Sequence, residues 1–438
     1  MEHIAQVRKI TNELLSEVFN VFCQSYDVTI DSRKVKQGTI FVALKGEHTD
    51  GNIFAKSALE NGASLVVIDN KDYYINDKTL LVEDSLFFLQ KFARYYRDTF
   101  DIPFIGISGT NGKTTTKELM YEVLSSTYKV GATAGNLNNQ IGVPLTLLSL
   151  KKDCQIAIIE MGASHIGDID ELCRIANPNI AILTNIGTAH IEGFGSFEGV
   201  IKTKTELFRY IEQNNGKAFV NIDDENLLNH KPENSVTYSL KNSADTQGNI
   251  INADKTFASI EVCGEKICSH LVGTYNCYNI LAAVTVGLSF GIDINKIKHA
   301  IESYIPTNNR SQVKKTDKNT LILDCYNANP SSCRFALEAF DKISGYKDKR
   351  VFIGSMKELG VVSQSEHEAI SRIIKNMNLT QAVFVGEEYK EFANGKNCVW
   401  FSTALEAKEF LLKLDINNSL ILIKGSRATK MEILQDAL

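Results

Sequence analysis

The sequence predicts an α/β protein of three consecutive domains, residues 1–99, 100–305 and 306–438. Three observations carry this. The 438 residues exceed one ordinary domain. Short Ile/Val runs alternate with helical segments in the middle of the chain and again in its last third, the pattern of parallel strands covered on both faces. Between one such strand and the helix after it lies a glycine-rich loop ending in Lys-Thr.

In the first domain, 39–44 reads as a short strand, a helix follows Asn52, and 65–68 reads as a strand. Asp84 is placed to cap a helix whose Leu86, Leu89, Ala93 and Tyr96 share a face. Residues 98–103 form a linker. The second domain opens with a buried strand at 102–107 and continues with strands at 156–159 and 180–183. Residues 218–272 differ, with Asn/Asp-rich turns and short alternating stretches; they read as a β-rich insertion or an extension of the sheet. A long helix, 276–290, closes this domain. From Pro306 strands and helices alternate again: strands at 321–324, 351–354, 382–386 and 420–424, with helices after Pro330 and near 366–375 and 404–412. This is a second doubly wound unit.

Composition excludes several classes. The formal net charge of −5 lacks the basic surface a nucleic-acid partner needs. No apolar run approaches the roughly 20 residues of a membrane span, and the charged N-terminus has no signal-peptide core, so a cytoplasmic protein is expected. The nine cysteines form no Cys-x-x-Cys pair and read as scattered reduced thiols. A monomer is expected.

The strongest chemical signal is the run Gly106-Ile-Ser-Gly-Thr-Asn-Gly-Lys-Thr-Thr-Thr116. Gly109 and Gly112 let the backbone of Gly109, Thr110, Asn111, Gly112, Lys113, Thr114 and Thr115 curl so that N–H groups point at phosphate oxygens. Lys113 reaches the terminal phosphates, and the Thr114 hydroxyl suits Mg²⁺. The common spacing would put its first glycine at Ile107, so the glycines are shifted here. Such a loop binds ATP in ATPases, kinases, switches and ligases alike and does not choose among them.

Other polar residues stand at strand ends, where a doubly wound sheet binds ligands. Glu160 ends the strand 156–159 and could hold Mg²⁺. His190 follows the strand 180–183 and could ligate a metal, with Gly193 and Gly195 nearby for close backbone approach. Lys204 reads as a solvated helix charge. Asn276 and Asn279 open the long helix, as caps or as readers of an adenine edge. Asp324, Asn327 and Asn329 follow the strand 321–324 as a polar recognition loop. Lys424 and Arg427, beside glycine, suit a carboxylate or phosphate. Asp31–Lys34 and Ala43–Gly46 are weaker, polar turns flanking a strand.

The order of these motifs resembles the Mur ligases over nearly the whole chain. The resemblance is carried by DSRKV and FVALKG, GTNGKT, AGNLNNQIGVPLTLL (134–148), IEMGASHIGDI, AHIEGFGS, KTELF, YNCYNILAA, DCYNANP and KGSR. AGNLNNQIGVP and YNANP are like the branch that adds D-alanyl-D-alanine to a UDP-N-acetylmuramoyl tripeptide; sister ligases with other amino-acid acceptors have Asp-Tyr-Ala-His at the second position. The resemblance implies a UDP-substrate domain, a central P-loop ATPase domain and a C-terminal Rossmann-like domain that binds the dipeptide. It implies that ATP and Mg²⁺ activate the tripeptide carboxylate as an acyl phosphate, which the dipeptide amine attacks. Lys113 and Thr114 would hold ATP and Mg²⁺, and Glu160 and His190 match metal-site residues. Lys204 matches a lysine that is carbamylated in many members. Asn279, Arg310 and Asp324 look like the adenosine and phosphate contacts. Ser32, Arg33, Lys45 and Gly46 look like the uridine site, while Asn136, Asn138, Asn139, Asn327, Asn329 and Arg427 would meet substrate. The chain departs from the family at Pro306–Arg310, where Pro-Gly-Arg is common, and at Gly354-Ser-Met, where Gly-Asp-Met is common.

Overall fold

The computed structural model describes residues 6–47, 49–188, 191–251 and 256–438. Three sheets organise it. In the first, Val28–Thr29, Ile40–Val42, Leu65–Ile68 and Thr79–Leu81 pair in chain order, all parallel. Helices Asn12–Phe22 and Ser85–Arg97 pack together on it, with Phe22 edge-on to Phe92 at 5.5 Å. Asp84 caps the second helix as expected, accepting the Phe87 N–H at 2.8 Å. Its buried face is Phe88, Leu89, Phe92, Ala93 and Tyr96, so Leu86, expected on that face, is only half-buried.

The central sheet has nine strands. Seven are parallel, in the spatial order Thr246–Ile250, Ser235–Ser239, Lys217–Asn221, Ile180–Leu183, Phe104–Ser108, Ile156–Glu160 and Val130–Ala132. Two antiparallel strands, Phe257–Val262 and Glu265–Val272, continue it at the first edge. Residues 218–272 therefore extend the sheet. Phe104–Ser108 lies between Ile156–Glu160 and Ile180–Leu183, and the chain leaves it first toward one edge and later toward the other. That reversal opens a crevice at the carboxyl end of Phe104–Ser108.

The third sheet has six strands, in the order Gln312–Lys315, Thr320–Asp324, Ser419–Lys424, Asp348–Gly354, Gln381–Val385 and Cys398–Phe401. All pairs are parallel except the first. Elements unseen in the sequence sit mostly at edges. Gln312–Lys315 is polar, and Cys398–Phe401 is half-buried throughout. Helix Asn12–Phe22 carries its apolar residues at Leu14, Leu15, Val18 and Phe22, amid enough charge to obscure them.

The first two regions share one apolar core, in which Leu89, Phe92 and Tyr96 join Val143, Leu147 and Leu172, and polar and aromatic contacts also link the regions. Tyr96 Oη donates to the Leu150 carbonyl at 2.7 Å, and the Arg97 guanidinium stacks 3.9 Å over Phe104. Toward the C-terminal sheet, Tyr275 stacks on Phe335 with ring centres 6.0 Å apart. Among the described residues, no helix is long and apolar enough to cross a membrane.

Candidate active site

The glycine-rich loop joins Phe104–Ser108 to the helix Lys113–Ser125 at the switch point. Gly109 and Gly112 have φ of +134° and +79°, which L side chains rarely adopt. A Cβ on Gly112 would lie 2.5 Å from the Asn279 side chain, and one on Gly109 would collide with Thr184. The helix start has no side-chain cap, and the N–H groups of Gly112, Lys113, Thr114 and Thr115 meet no acceptor among the described residues. Unpaired donors at a helix N-terminus are what a phosphate needs. Asn185 and Thr184 brace the loop tip. Asn185 accepts the Asn111 N–H at 3.1 Å and donates to its carbonyl at 2.9 Å, and Thr184 Oγ1 donates to that same carbonyl at 2.6 Å.

Lys113 folds back on the loop, its Nζ donating to the Gly109 and Thr110 carbonyls at 2.7 and 3.0 Å. Burial pushes its ammonium down to about 8; Glu160 opposes the shift and Arg310 adds to it. Glu160 is 1% exposed. Its Oε1 accepts from Thr114 Oγ1 at 3.1 Å and Asn138 Nδ2 at 2.9 Å. Its Oε2 has no hydrogen-bond partner among the described residues and lies 3.9 Å from the buried Nζ of Lys117. A buried carboxylate oxygen left without a donor, beside a threonine hydroxyl, is a hard oxygen pair that fits Mg²⁺.

Lys113, Thr114, Asn138 and Glu160 line a cavity of 580 Å³ that the C-terminal sheet closes from the other side. Of the residues singled out in the sequence, it brings together Thr110 to Thr115, Asn136, Asn138, Asn139, Glu160, Asn279, Arg310, Asp324, Asn327, Asn329 and Arg427. Arg310 lies 3.7 Å over the Tyr326 ring, and its Nε is buried without a hydrogen-bond partner among the described residues. Arg427 approaches the same ring at 5.3 Å. Asn329 caps the helix Pro330–Lys342 and sends its Nδ2 across to Asn111 Oδ1 at 2.8 Å, so the C-terminal unit touches the phosphate loop directly. Asn279 accepts from Thr116 Oγ1 and donates to Asn276.

Lys424, read with Arg427 as a cation for an anionic ligand, is taken up by the protein itself. It is 1% exposed and pairs with Asp324 at 2.7 Å. The close backbone approach at Gly193 is to the Ser164 carbonyl. Lys204 is buried as well, against its reading as a solvated charge, with its Nζ 5.5 Å over the Phe194 ring. Burial holds its ammonium well below the usual lysine range and nearby Lys113 adds to this, while Asp168 and Glu206 oppose it. Neither Lys204 nor Gly109 lines the cavity. His190 lies outside the described residues. Ser32, Arg33, Lys45 and Gly46 stand apart on the first sheet. There Arg33 pairs with Asp31 at 2.8 Å, holding that carboxyl down to about 2, and Lys45 lies 3.1 Å from Asp69.

Sequence reading missed Lys117, Asn185 and Tyr326 as parts of this site. Lys117 sat one turn past the recognised loop, and nothing in its spacing marks a lysine that turns inward to donate to the Thr133 carbonyl at 2.6 Å. Tyr326 lay inside the polar run Asp324–Pro330, where its ring was available as the platform for an arginine.

Comparison with known proteins agrees with this architecture. Residues 25–97 match the Mur ligase family catalytic domain, 107–287 the Mur ligase middle domain and 309–427 the Mur ligase glutamate ligase domain. A Bacillus subtilis protein described as UDP-N-acetylmuramoyl-tripeptide–D-alanyl-D-alanine ligase is 33% identical over 422 residues, 93% of this chain and 92% of that one. A crystal structure of MurF from Acinetobacter baumannii superposes with a TM-score of 0.84 at 30% identity, covering 94% of this chain and 92% of that one. MurF from Thermotoga maritima in complex with ADP superposes at 0.83 with 29% identity, covering 94% and 96%.

Proposed function

The chain belongs to the Mur ligase family, and we propose that it joins D-alanyl-D-alanine to UDP-N-acetylmuramoyl tripeptide, with ATP as the driving substrate. The observation that carries the reading is one cavity with phosphate-binding N–H groups on one wall and the Arg310, Asn327, Asn329 and Arg427 cluster on the other.

A carboxylate resists amines because its leaving group would be oxide. Attack of a tripeptide carboxylate oxygen on the terminal phosphorus of ATP breaks the bond to the bridging oxygen, releases ADP and replaces that leaving group with phosphate. The dipeptide amine then attacks the acyl carbon, the tetrahedral adduct collapses, and phosphate departs with the C–O electron pair while the amine loses its proton. The loop N–H groups and Lys113 hold the nucleotide phosphates and stabilise charge that grows on them. Thr114 and Glu160 would hold Mg²⁺, which when bound neutralises phosphate charge.

Lys204 as its carbamate joins this set. An amine held neutral by burial can add CO₂ and release a proton, which turns a buried neutral amine into a carboxylate-like group. His190 completes the metal residues. Asn279, Arg310 and Asp324 take the nucleotide; Asn136, Asn138 and Asn139 take the muramoyl peptide, and Asn327, Asn329 and Arg427 the dipeptide. Ser32, Arg33, Lys45 and Gly46 take the uridine end. The units 1–99, 100–305 and 306–438 thus divide UDP-substrate, ATP and acceptor among them, in a cytoplasmic enzyme acting as a monomer.

The test is phosphate release from Mg-ATP and UDP-muramoyl tripeptide, with and without D-alanyl-D-alanine. Release dependent on both, with the UDP-pentapeptide seen by mass, is expected. Release that ignores the dipeptide but responds to another amine identifies a sister ligase, and release indifferent to every substrate identifies a switch-type ATPase.

A further inference from the structure

A second, smaller pocket of 250 Å³ adjoins the cavity on its C-terminal side and shares Asn327, Asn329, Glu358 and Arg427 with it. One wall is the loop that follows the strand Asp348–Gly354, and it contributes Lys357 and Glu358. The loop is fixed at its root, where Ser355 N and Oγ both donate to the Val385 carbonyl, at 2.9 and 3.1 Å. Further along it has little regular support. Glu358 sits at φ +63°, a left-handed conformation that is costly for a residue with a Cβ, and Gly360 follows at +53°. Such a conformation persists only where neighbouring contacts impose it.

Met356 and Leu359 anchor this segment in the apolar core, and one buried side chain holds its backbone directly. His367, in the helix Ser363–Asn376, is fully buried and lines neither pocket. Its Nδ1 donates to the Ser363 carbonyl at 2.7 Å, which assigns the ring proton to Nδ1. Nε2 is then a lone pair, and it accepts the Met356 N–H at 3.0 Å. The ring stands edge-on to Tyr389 at 4.7 Å, which removes its freedom to rotate. The charged groups that face it are Glu366 on its own helix, Glu388 beside Tyr389, and Lys357 on the loop. Lys357 and Glu388 are themselves an ion pair that joins the loop to the Glu387–Tyr389 turn, while His367 joins both to the helix.

We infer that His367 is a positioning residue for the acceptor: through the Met356 N–H it sets where Lys357 and Glu358 stand in the pocket that receives the incoming amine. This rests on the reading that the C-terminal pocket takes the dipeptide. Lys357 lines only the smaller pocket, while Glu358 lines both, so loss of the bond weakens capture of the acceptor more than it weakens binding of the nucleotide. A misplacement of under 1 Å at such a wall is enough for about a tenfold effect.

Two variants separate positioning from general damage. In H367N the Nδ2 group keeps the bond to Ser363 but nothing reaches Met356. In H367Q the Oε1 atom reaches about as far as Nε2 and accepts the Met356 N–H. Product formation is measured against dipeptide and against ATP, with the other substrates saturating. The expected result is a dipeptide KM raised about tenfold in H367N, with kcat and the ATP KM within about twofold, and most of the loss recovered in H367Q. Equal losses in all three constants, or no change in H367N, overturn the proposal. If H367N does not fold, hydrogen exchange of residues 355–359 in the unaltered enzyme carries the test: slowing on addition of dipeptide supports the inference, and unchanged exchange overturns it. An unaltered enzyme that makes no product from the dipeptide would instead fault the assigned reaction, not the role of His367.

Discussion

Removing the carboxylate of Asp324 should be among the most damaging single changes in the C-terminal sheet. Asp324 and Lys424 are register partners at the ends of adjacent parallel strands, with Nζ and Oδ2 2.7 Å apart. The two are not equally buried: the lysine side chain is 1% exposed and the aspartate 18%, open to the cavity. Asp324→Asn leaves the ammonium without a counter-charge, with only neutral acceptors: the amide oxygen of the new side chain and the carbonyls of residues 324 and 327, at 3.5 and 3.4 Å. Stranding a buried charge costs about 3–5 kcal/mol. The cost is capped because the lysine can instead lose its proton, which from a pKa near 10.4 at pH 7 takes about 4–5 kcal/mol. Lys424→Met strands the better-hydrated partner, which still accepts the Ser311 N–H at 3.3 Å, so about 1–2 kcal/mol is expected. The only tryptophan, Trp400, lies in the edge strand Cys398–Phe401 and donates to the Gly386 carbonyl, so its fluorescence reports this sheet selectively. With a urea slope of about 2 kcal/mol/M, the Trp400 midpoint should fall by about 2 M in D324N and by about 0.5–1 M in K424M, and the double variant should recover part of the D324N loss. A D324N shift below about 0.5 M, or K424M as costly as D324N, would refute the asymmetry.

Three further outcomes follow from other contacts. Lys204→Ala should lose activity by about 10–100-fold, with partial return in added bicarbonate, and full activity in the variant would remove Lys204 from the mechanism. Asn329→Ala should lose both the helix cap, about 1 kcal/mol by thermal melting, and the link to Asn111. Asn329→Ser keeps the cap, so if it retains full activity the Asn111 contact has no catalytic consequence. Burial holds the His367 imidazole below its ordinary pKa near 6.5. The unfolded chain therefore binds the proton more readily, so the stability contributed is complete above about pH 6.5 and declines as pH falls through the folded value. The unfolding free energy of H367Q, plotted against pH, should lack that decline, and a parallel profile would contradict it.

Local patterns in the chain were enough for the parallel architecture and the phosphate loop. Apolar runs such as Ile180–Leu183 mark strands because both faces are covered, and Gly112 and Lys113 stand where the covalent chain must turn from strand to helix. These signals lie within a few residues of one another, as did the cap at Asp84 and the amides Asn327 and Asn329. What the residue order could not carry was the partner of each polar group. Lys424 reads as a ligand-binding cation until the strand order places Asp324 beside it, 100 positions away in sequence. Lys204 reads as a solvated helix charge until folding buries it beneath Phe194. His367 is an unremarked helix residue until the turn of the backbone at Met356 brings an N–H to its Nε2. Which strand ends meet, and hence which charges are used up by the protein and which stay free for a ligand, is decided by long-range packing and desolvation. Secondary structure and the phosphate loop follow from near neighbours, which is why they were legible in the residue order.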